Sequence, residues 1–209
     1  MIPKPFECRW TSDERSLALS LLVIAKKILS LGNVQPTLIC GSLLGSIRHN
    51  GLIPWDDDLD VSIPEDSWES LSGQSSLFEQ YGLTFFTCKN TITHKVHFKN
   101  IPFPFIDIFK HVQTDEKTMR SYGHITKFYT DVPIECWYPF QEYPFETIFF
   151  PVPAVPEAFL DGKYPGWRDI ADTGEWDHKR ECMRPKNMQA QMSWKELQCQ
   201  QECASDVSI

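Results

Sequence analysis

Apolar residues near the start of the chain recur at the spacing of an α-helix. They form one stripe, with intervals of four, three and four residues: Leu17, Leu21, Ile24 and Ile28. Thr11 and Glu14 form a capping-box pattern, in which each side chain satisfies a backbone donor at the start of a helix. Gly32 and Asn33 then supply a left-handed stop. The pattern predicts a helix from Thr11 to Leu31.

A different period governs the segment around residue 60. Polar and apolar residues alternate there, with Asp58, Asp60 and Ser62 interleaved with Leu59, Val61 and Ile63. Period two is typical of a strand with one buried face. Because successive side chains of a strand point to opposite faces, we expect Asp58 and Asp60 to point to the same side.

The remaining elements are predicted from short apolar runs and turn residues. They are strands over Thr37 to Cys40, Leu83 to Cys88, Thr93 to Lys99, Phe105 to Phe109 and Glu146 to Val152, a Gly41-Ser42 turn, and helices over Leu43 to Arg48, Pro64 to Leu71 and Val155 to Asp161. The mixture predicts an α+β fold, a mixed sheet flanked by helices with an irregular second half rich in Pro and aromatic residues. We expect one domain over residues 1–170 and a polar, weakly ordered tail over residues 171–209.

Composition and charge argue against two classes of protein, those that bind nucleic acid and those that span a membrane. The chain has 209 residues, 42% of them hydrophobic, and a formal net charge of −8, which argues against a nucleic-acid partner. No apolar stretch is long enough for a membrane span, and the N-terminus lacks the apolar core of a signal peptide. The compartment stays open between a cytoplasmic one and, if an upstream segment is missing, a Golgi-type one. The seven cysteines are odd in number and widely spaced, so they decide neither compartment nor disulfide state.

Two neighbouring carboxylates on one strand face present an electrostatic problem. Like charges about 4 Å apart repel by roughly 4 kcal/mol at an effective dielectric constant near 20. A cation between Asp58 and Asp60 removes this cost, and oxygen-rich sites suit Mg²⁺ or Mn²⁺ held together with substrate phosphates. The pair therefore predicts a metal site that receives a phosphorylated substrate. The alternative is a solvated acidic turn at the start of a strand.

A third carboxylate, Asp107, lies inside the apolar run from Phe105 to Phe109. A buried carboxylate is costly unless a cation or hydrogen-bond donors compensate it. We interpret Asp107 as a further member of the metal site, against the alternative that it caps a turn at a strand end. Lys95 and its neighbours at alternate positions form a basic face, which is either solvated or in contact with phosphate.

These residues together resemble a known superfold. The order of Gly41-Ser42 after a strand, Asp58-x-Asp60 on the next strand, and Asp107 on a later strand resembles the nucleotidyltransferase superfold, the class of DNA polymerase β. Within it, G-S-L-L-G-S-I-R-H-N-G-L-I-P-W-D-D-D-L-D is similar to the hallmark of the LicD family, which includes bacterial phosphocholine transferases and the fukutin-type proteins of animals. The resemblance extends from about Thr37 to Trp167, although Pro165 interrupts the usual Tyr-Gly of the closing segment.

The resemblance implies a role for each matching residue. Asp58 and Asp60 would be metal ligands, and Asp107 a third ligand or the base that acts on the acceptor hydroxyl. Gly41 and Ser42 would hold the donor phosphates, and Arg48 would clamp a phosphate through its planar guanidinium.

The implied reaction transfers a phospho-alcohol, such as phosphocholine or ribitol phosphate, from a CDP-linked donor to a glycan hydroxyl, with Mg²⁺ or Mn²⁺ as cofactor. One alternative is a nucleotidyltransferase that moves a nucleoside monophosphate onto a small molecule. Another is a non-catalytic scaffold that kept the fold. The donor alcohol, the acceptor and the oligomeric state stay open.

Overall fold

The computed structural model describes residues 1–89, 92–124 and 127–205. The predicted tail extends to Ile209, and its residues 206–209 lie outside this range. None of the helices in the described part is both long and apolar enough to cross a membrane.

The fold is α+β, with helices flanking one mostly antiparallel sheet. The helices are α1 (Ser12–Leu31), α2 (Cys40–His49), α3 (Glu65–Ser72), α4 (Ser75–Gln80), α5 (Ile134–Trp137), α6 (Pro156–Lys163) and α7 (Trp194–Ser205). The strands of the main sheet are β1 (Thr37–Leu38), β2 (Leu59–Pro64), β3 (Leu83–Thr87), β4 (His94–Phe98), β5 (Ile101–Gln113), β6 (Thr118–Tyr122) and β7 (Tyr129–Pro133). Three small two-stranded sheets are formed by β8 (Gln141–Phe145) with β9 (Ile148–Val152), β10 (Ile170–Asp172) with β13 (Gln191–Ser193), and β11 (Trp176–Asp177) with β12 (Cys182–Met183).

The first predicted helix is confirmed together with its cap. The Thr11 hydroxyl accepts a hydrogen bond from the Glu14 amide, and the Glu14 carboxylate accepts one from the Thr11 amide. The left-handed residue at its end is Asn33, with φ of 57°. Gly32 has φ of −86° and closes the last turn through its amide. The apolar face packs into the core, where Leu21 and Ile28 are fully buried.

The sheet has the order β1-β2-β5-β4-β3, and β6 and β7 extend it from the far half of the long strand β5. Strands β2 and β5 are parallel, while the other neighbours in this sheet are antiparallel. Strand β5 is longer than predicted because its first half pairs with β4 and its second half with β6. Its alternate residues Ile106 and Ile108 face the core.

One local prediction was wrong. Gly41 and Ser42 were expected in a turn, but they lie in the first turn of α2, which begins at Cys40. The chain enters this helix through a left-handed Cys40, with φ of 48°. A single residue therefore makes the strand-to-helix change of direction, and Gly41 is available for close packing.

Candidate functional site

The site is built on the central strands of the sheet. The parallel register places Asp60 of β2 beside Asp107 of β5. The antiparallel register on the other side of β5 places Lys95 of β4 beside Asp107. Because neighbours in register share a face, these three side chains form a row across the sheet. Asp58 immediately precedes β2 and lies two residues before Asp60, so it continues the acidic part of the row along the strand.

A cavity of about 570 Å³ opens over this part of the sheet. Its acidic wall comes from Asp56, Asp58 and Asp60. The residues that line it from the C-terminal half include aromatic and cationic side chains and two acidic ones: Lys163, Tyr164, Trp167, Trp176, His178, Arg184, Asp172 and Glu175. The volume lies within the range of pockets that hold small-molecule ligands, about 300–1,000 Å³.

Burial and mutual repulsion make the carboxylates resist ionisation. The pKa of Asp58 is raised well above its ordinary value by burial and by the charges of Asp60, Asp56 and Asp107. The pKa of Asp60 is likewise raised by burial, and then by Asp107 and Asp56. Burial raises the pKa of Asp107 to about 7, although the neighbouring Lys95 opposes this rise. A cation bound among these groups would favour their ionised forms.

Asp107 provides an independent indication that a ligand belongs here. Its side chain is only 2% exposed, and its Oδ1 has no hydrogen-bond partner. The Lys95 Nζ lies 3.8 Å away and is itself bound to Glu181 at 2.9 Å. A buried carboxylate oxygen without a hydrogen bond is unfavourable, and a divalent cation would satisfy it. The residues present therefore fit a metal ion.

His178 joins the acidic residues from the C-terminal segment. Its Nε2 lies 3.2 Å from the Asp58 Oδ2. One ligand atom from each of Asp58, Asp107 and His178 lies within 4.8 Å of the others. Carboxylate and imidazole ligands are compatible with several divalent ions, including Mn²⁺ and Zn²⁺. Sequence reasoning missed His178, which falls in the segment expected to be weakly ordered.

Two hydrogen bonds join Asp60 to the start of α2. The Gly41 amide donates to the Asp60 Oδ2 at 3.3 Å, and the Asp60 amide donates to the Ser42 Oγ at 2.8 Å. A β-carbon on Gly41 would lie 2.5 Å from the Asp56 Oδ2, so only glycine allows that carboxylate its present position. Gly41 and Ser42 thus organise the acidic wall, and their contact with donor phosphates stays a prediction.

The Arg48 guanidinium lies at the edge of the cavity, where it joins α2 to the C-terminal half. Its Nη1 donates to the carbonyls of Trp167 and Ile170, at 2.9 and 3.0 Å. Its guanidinium carbon lies 4.6 Å from the centre of the Trp194 ring. Burial lowers the pKa of Arg48 to about 10. These contacts give Arg48 a structural role, and its predicted role as a phosphate clamp is untested.

Asp57 has a different role from its two acidic neighbours. It is fully buried and binds the Arg9 Nη2 at 2.8 Å and the Arg184 Nη2 at 3.4 Å. It also accepts a hydrogen bond from the Lys179 amide at 3.2 Å. The three consecutive aspartates therefore have different roles. Asp57 holds the N-terminal and C-terminal segments around the site, while Asp56 and Asp58 line the cavity.

Comparison with known proteins gives a family match over the central part of the chain. Residues 33–155 match the family described as "LicD/FKTN/FKRP, nucleotidyltransferase domain". An uncharacterized protein of Rickettsia prowazekii is 31% identical over 170 residues, which cover 74% of this chain and 57% of that protein. An uncharacterized protein of Rickettsia typhi is 28% identical over 166 residues, covering 77% of this chain and 50% of that protein.

A shorter match links the chain to a protein whose name states an activity. The lipopolysaccharide cholinephosphotransferase LicD of Haemophilus influenzae is 33% identical over 57 residues, or 27% of this chain and 22% of that protein. The chain spans about half the length of its two rickettsial relatives. Lys163, His178 and Arg184 lie beyond residue 155, outside the range matched by the family.

Proposed function

The chain belongs to the LicD/FKTN/FKRP nucleotidyltransferase-domain family, and from that premise we propose that it is a metal-dependent phosphotransferase. The proposed reaction moves a phospho-alcohol, of the phosphocholine or ribitol-phosphate type, from a CDP-linked donor to a glycan hydroxyl. The observation that carries the proposal is the convergence of Asp58, Asp107 and His178 within 4.8 Å, where Asp58 and His178 line the cavity. A polymerase β-type arrangement is part of the proposal, supported by the two acidic residues Asp60 and Asp107 on adjacent parallel strands.

Asp58, Asp107 and His178 would hold the metal ion, with Asp60 beside them. A bound divalent cation neutralises charge on phosphate oxygens and on the nucleotide leaving group. Mg²⁺ and Mn²⁺ are the candidates expected from the carboxylates, and the imidazole of His178 favours Mn²⁺ between them. Asp60 is restrained by the Gly41 amide through its Oδ2, which fixes the direction of its carboxylate.

The chain's own residues contribute to this reaction in three ways: by positioning, by proton removal and by excluding water. The acidic row would hold the cation that positions the reacting phosphate near the sheet, and transfer of this kind depends mostly on positioning and charge neutralisation. Asp107 is also the proposed base: its buried carboxylate, kept ionised by the bound cation, would accept the proton of an acceptor hydroxyl. Aromatic side chains that line the cavity, including Tyr164 and Trp167, limit the access of water that would hydrolyse the donor.

The proposed functional unit extends past residue 170, the boundary expected from the sequence. His178 and Arg184 both line the cavity, and Ala171 and Leu197 are fully buried. We therefore propose a transferase unit that uses the C-terminal segment for part of its metal site and cavity wall.

The test is incubation with Mn²⁺ and CDP-choline or CDP-ribitol, with lipopolysaccharide as the trial acceptor. Release of free CMP, together with an acceptor that carries phosphocholine or ribitol phosphate, supports the proposal. Appearance of the cytidine monophosphate group on the acceptor supports the nucleotidyltransferase alternative, and absence of either product from both donors argues for the scaffold.

Asp58→Asn is the matched variant for this assay. We expect loss of transfer with folding retained or slightly stabilised, because the change relieves repulsion among buried carboxylates. Asp169→Asn, at an exposed carboxylate, serves as the control and should keep full activity. Full activity in Asp58→Asn would exclude the proposed role of that residue.

A further inference from the structure

Among the described residues, three strongly basic side chains line the cavity: Arg48, Lys163 and Arg184. Arg48 is occupied by two backbone carbonyls. Arg184 is also occupied, because its Nε donates to the Trp176 carbonyl at 2.8 Å and its Nη2 contacts the Trp55 carbonyl and Asp57. Both guanidinium groups are anchored by these contacts, although the buried Arg48 Nε has no hydrogen-bond partner.

Lys163 differs from both. It is the last residue of α6, it is half-buried, and its ammonium group has no hydrogen bond or ion pair within the described residues. Its charge nevertheless acts at the acidic wall, since it favours the ionised form of Asp60 against the effect of burial. Lys163 lines the same cavity as Asp58 and Asp60, so its ammonium group is available to a ligand bound there.

We infer that Lys163 is the side chain that binds the diphosphate of the donor in this cavity, an inference that rests on the proposed function for the identity of the donor. A lysine ammonium is a compact charge with three donors, which suits a phosphate oxygen approached from any direction. A metal ion bound by the carboxylates would neutralise their negative charge in place of Lys163. The lysine would then be free to contact the anionic ligand. Lys163 thus has the role that sequence reasoning gave to Arg48.

The simpler alternative is that Lys163 only offsets the negative charge of Asp60 and its neighbours. The two roles predict different outcomes. A purely compensating lysine affects the stability and titration of the protein but leaves the affinity for phosphate compounds almost unchanged. A diphosphate-binding lysine controls that affinity and contributes little to stability, because it has no hydrogen bond to lose in the free protein.

The experiment titrates inorganic pyrophosphate and CDP-choline separately into the Mn²⁺-loaded chain by calorimetry. Lys163→Met keeps the length of the side chain and removes its charge, and we expect roughly ten- to a hundredfold weaker binding of both compounds, the range for loss of a charged hydrogen bond. Lys163→Arg should retain most of the affinity. Lys117→Met, at an exposed lysine outside the cavity, is the control and should bind like the unaltered chain.

Equal pyrophosphate affinity in Lys163→Met and the unaltered chain would overturn the inference, as would failure of the unaltered chain to bind pyrophosphate. If pyrophosphate binding depends on Lys163 but CDP-choline and CDP-ribitol do not bind, the anion site stands and the proposed donor is wrong. If Lys163→Met binds normally while CMP release from a CDP-alcohol persists, the proposed function stands and the role of Lys163 is wrong.

Discussion

Gly41 leaves a space that the Asp56 carboxylate occupies at the start of α2. In Gly41→Ala, the new methyl group would displace this carboxylate from the acidic wall. We expect at least a tenfold loss of transfer activity with little change in the free energy of unfolding. The reason is that alanine favours a helix over glycine by about 1 kcal/mol, which offsets the local crowding.

Gly73→Ala is the control for this change. Gly73 has φ of −78°, and a β-carbon there would lie 3.5 Å from the Ser70 carbonyl oxygen, an ordinary contact. Activity and urea unfolding should both stay as in the unaltered chain. If Gly41→Ala is as active as Gly73→Ala, the position of Asp56 does not matter to the reaction.

The β11–β12 hairpin carries His178 to the site and is held there by buried charges. Asp57 binds Arg184 at its end and Arg9 from the N-terminus, and Arg9 also binds Asp177 at 2.7 Å. Asp57→Asn would leave these guanidinium groups partly uncompensated. We expect a loss of about 3 kcal/mol in the free energy of unfolding and faster proteolysis within residues 176–184.

An exposed ion pair offers the comparison. Asp131 binds Arg120 at 2.7 Å on the surface of β6 and β7, and Asp131→Asn should cost less than about 1 kcal/mol because solvent screens such pairs. Urea titration measures both variants. Equal losses would mean that Asp57 does not hold the C-terminal segment in place.

The β11–β12 hairpin also shows which features of the site a single sequence does not predict. Alternation around residue 60 correctly predicted β2, and the apolar run around Asp107 predicted the middle of β5, because local periodicity reports how a strand is buried. Nothing local indicates that β2 and β5 are parallel neighbours, which is what brings Asp60 beside Asp107. His178 lies in a polar segment without periodicity. Its place depends on the long-range pairing of Asp57 with Arg9 and Arg184, which a single sequence does not display.

Across the whole molecule, buried histidines are kept neutral. Burial lowers the pKa of His111 to about 3, and that of His94 to about 4. A lowered folded-state pKa contributes stability that is present above the unfolded-state value near 6.5 and is lost as the pH falls through the folded-state value. The raised pKa values of Asp58 and Asp60 act in the opposite sense, since their contribution is lost as the pH rises.

His111→Gln isolates one of these contributions. The ring of His111 contacts the Ser62 Oγ and the Tyr138 hydroxyl, both at 2.9 Å, and a glutamine has donors and acceptors for the same partners. The stability advantage of the unaltered chain over the variant should shrink by about 2 kcal/mol between pH 7 and pH 5. Urea unfolding at the two pH values measures it. A difference that does not change with pH would mean that His111 is not kept neutral in the folded protein.

Titration of Mn²⁺ into the unaltered chain and into Asp107→Asn tests directly whether side chains from separate strands form one metal site. We predict that the unaltered chain binds Mn²⁺ at the cavity and that Asp107→Asn, folded by circular dichroism, binds it at least tenfold more weakly. Absence of binding by the unaltered chain, or equal affinity in Asp107→Asn, would contradict the proposed metal site.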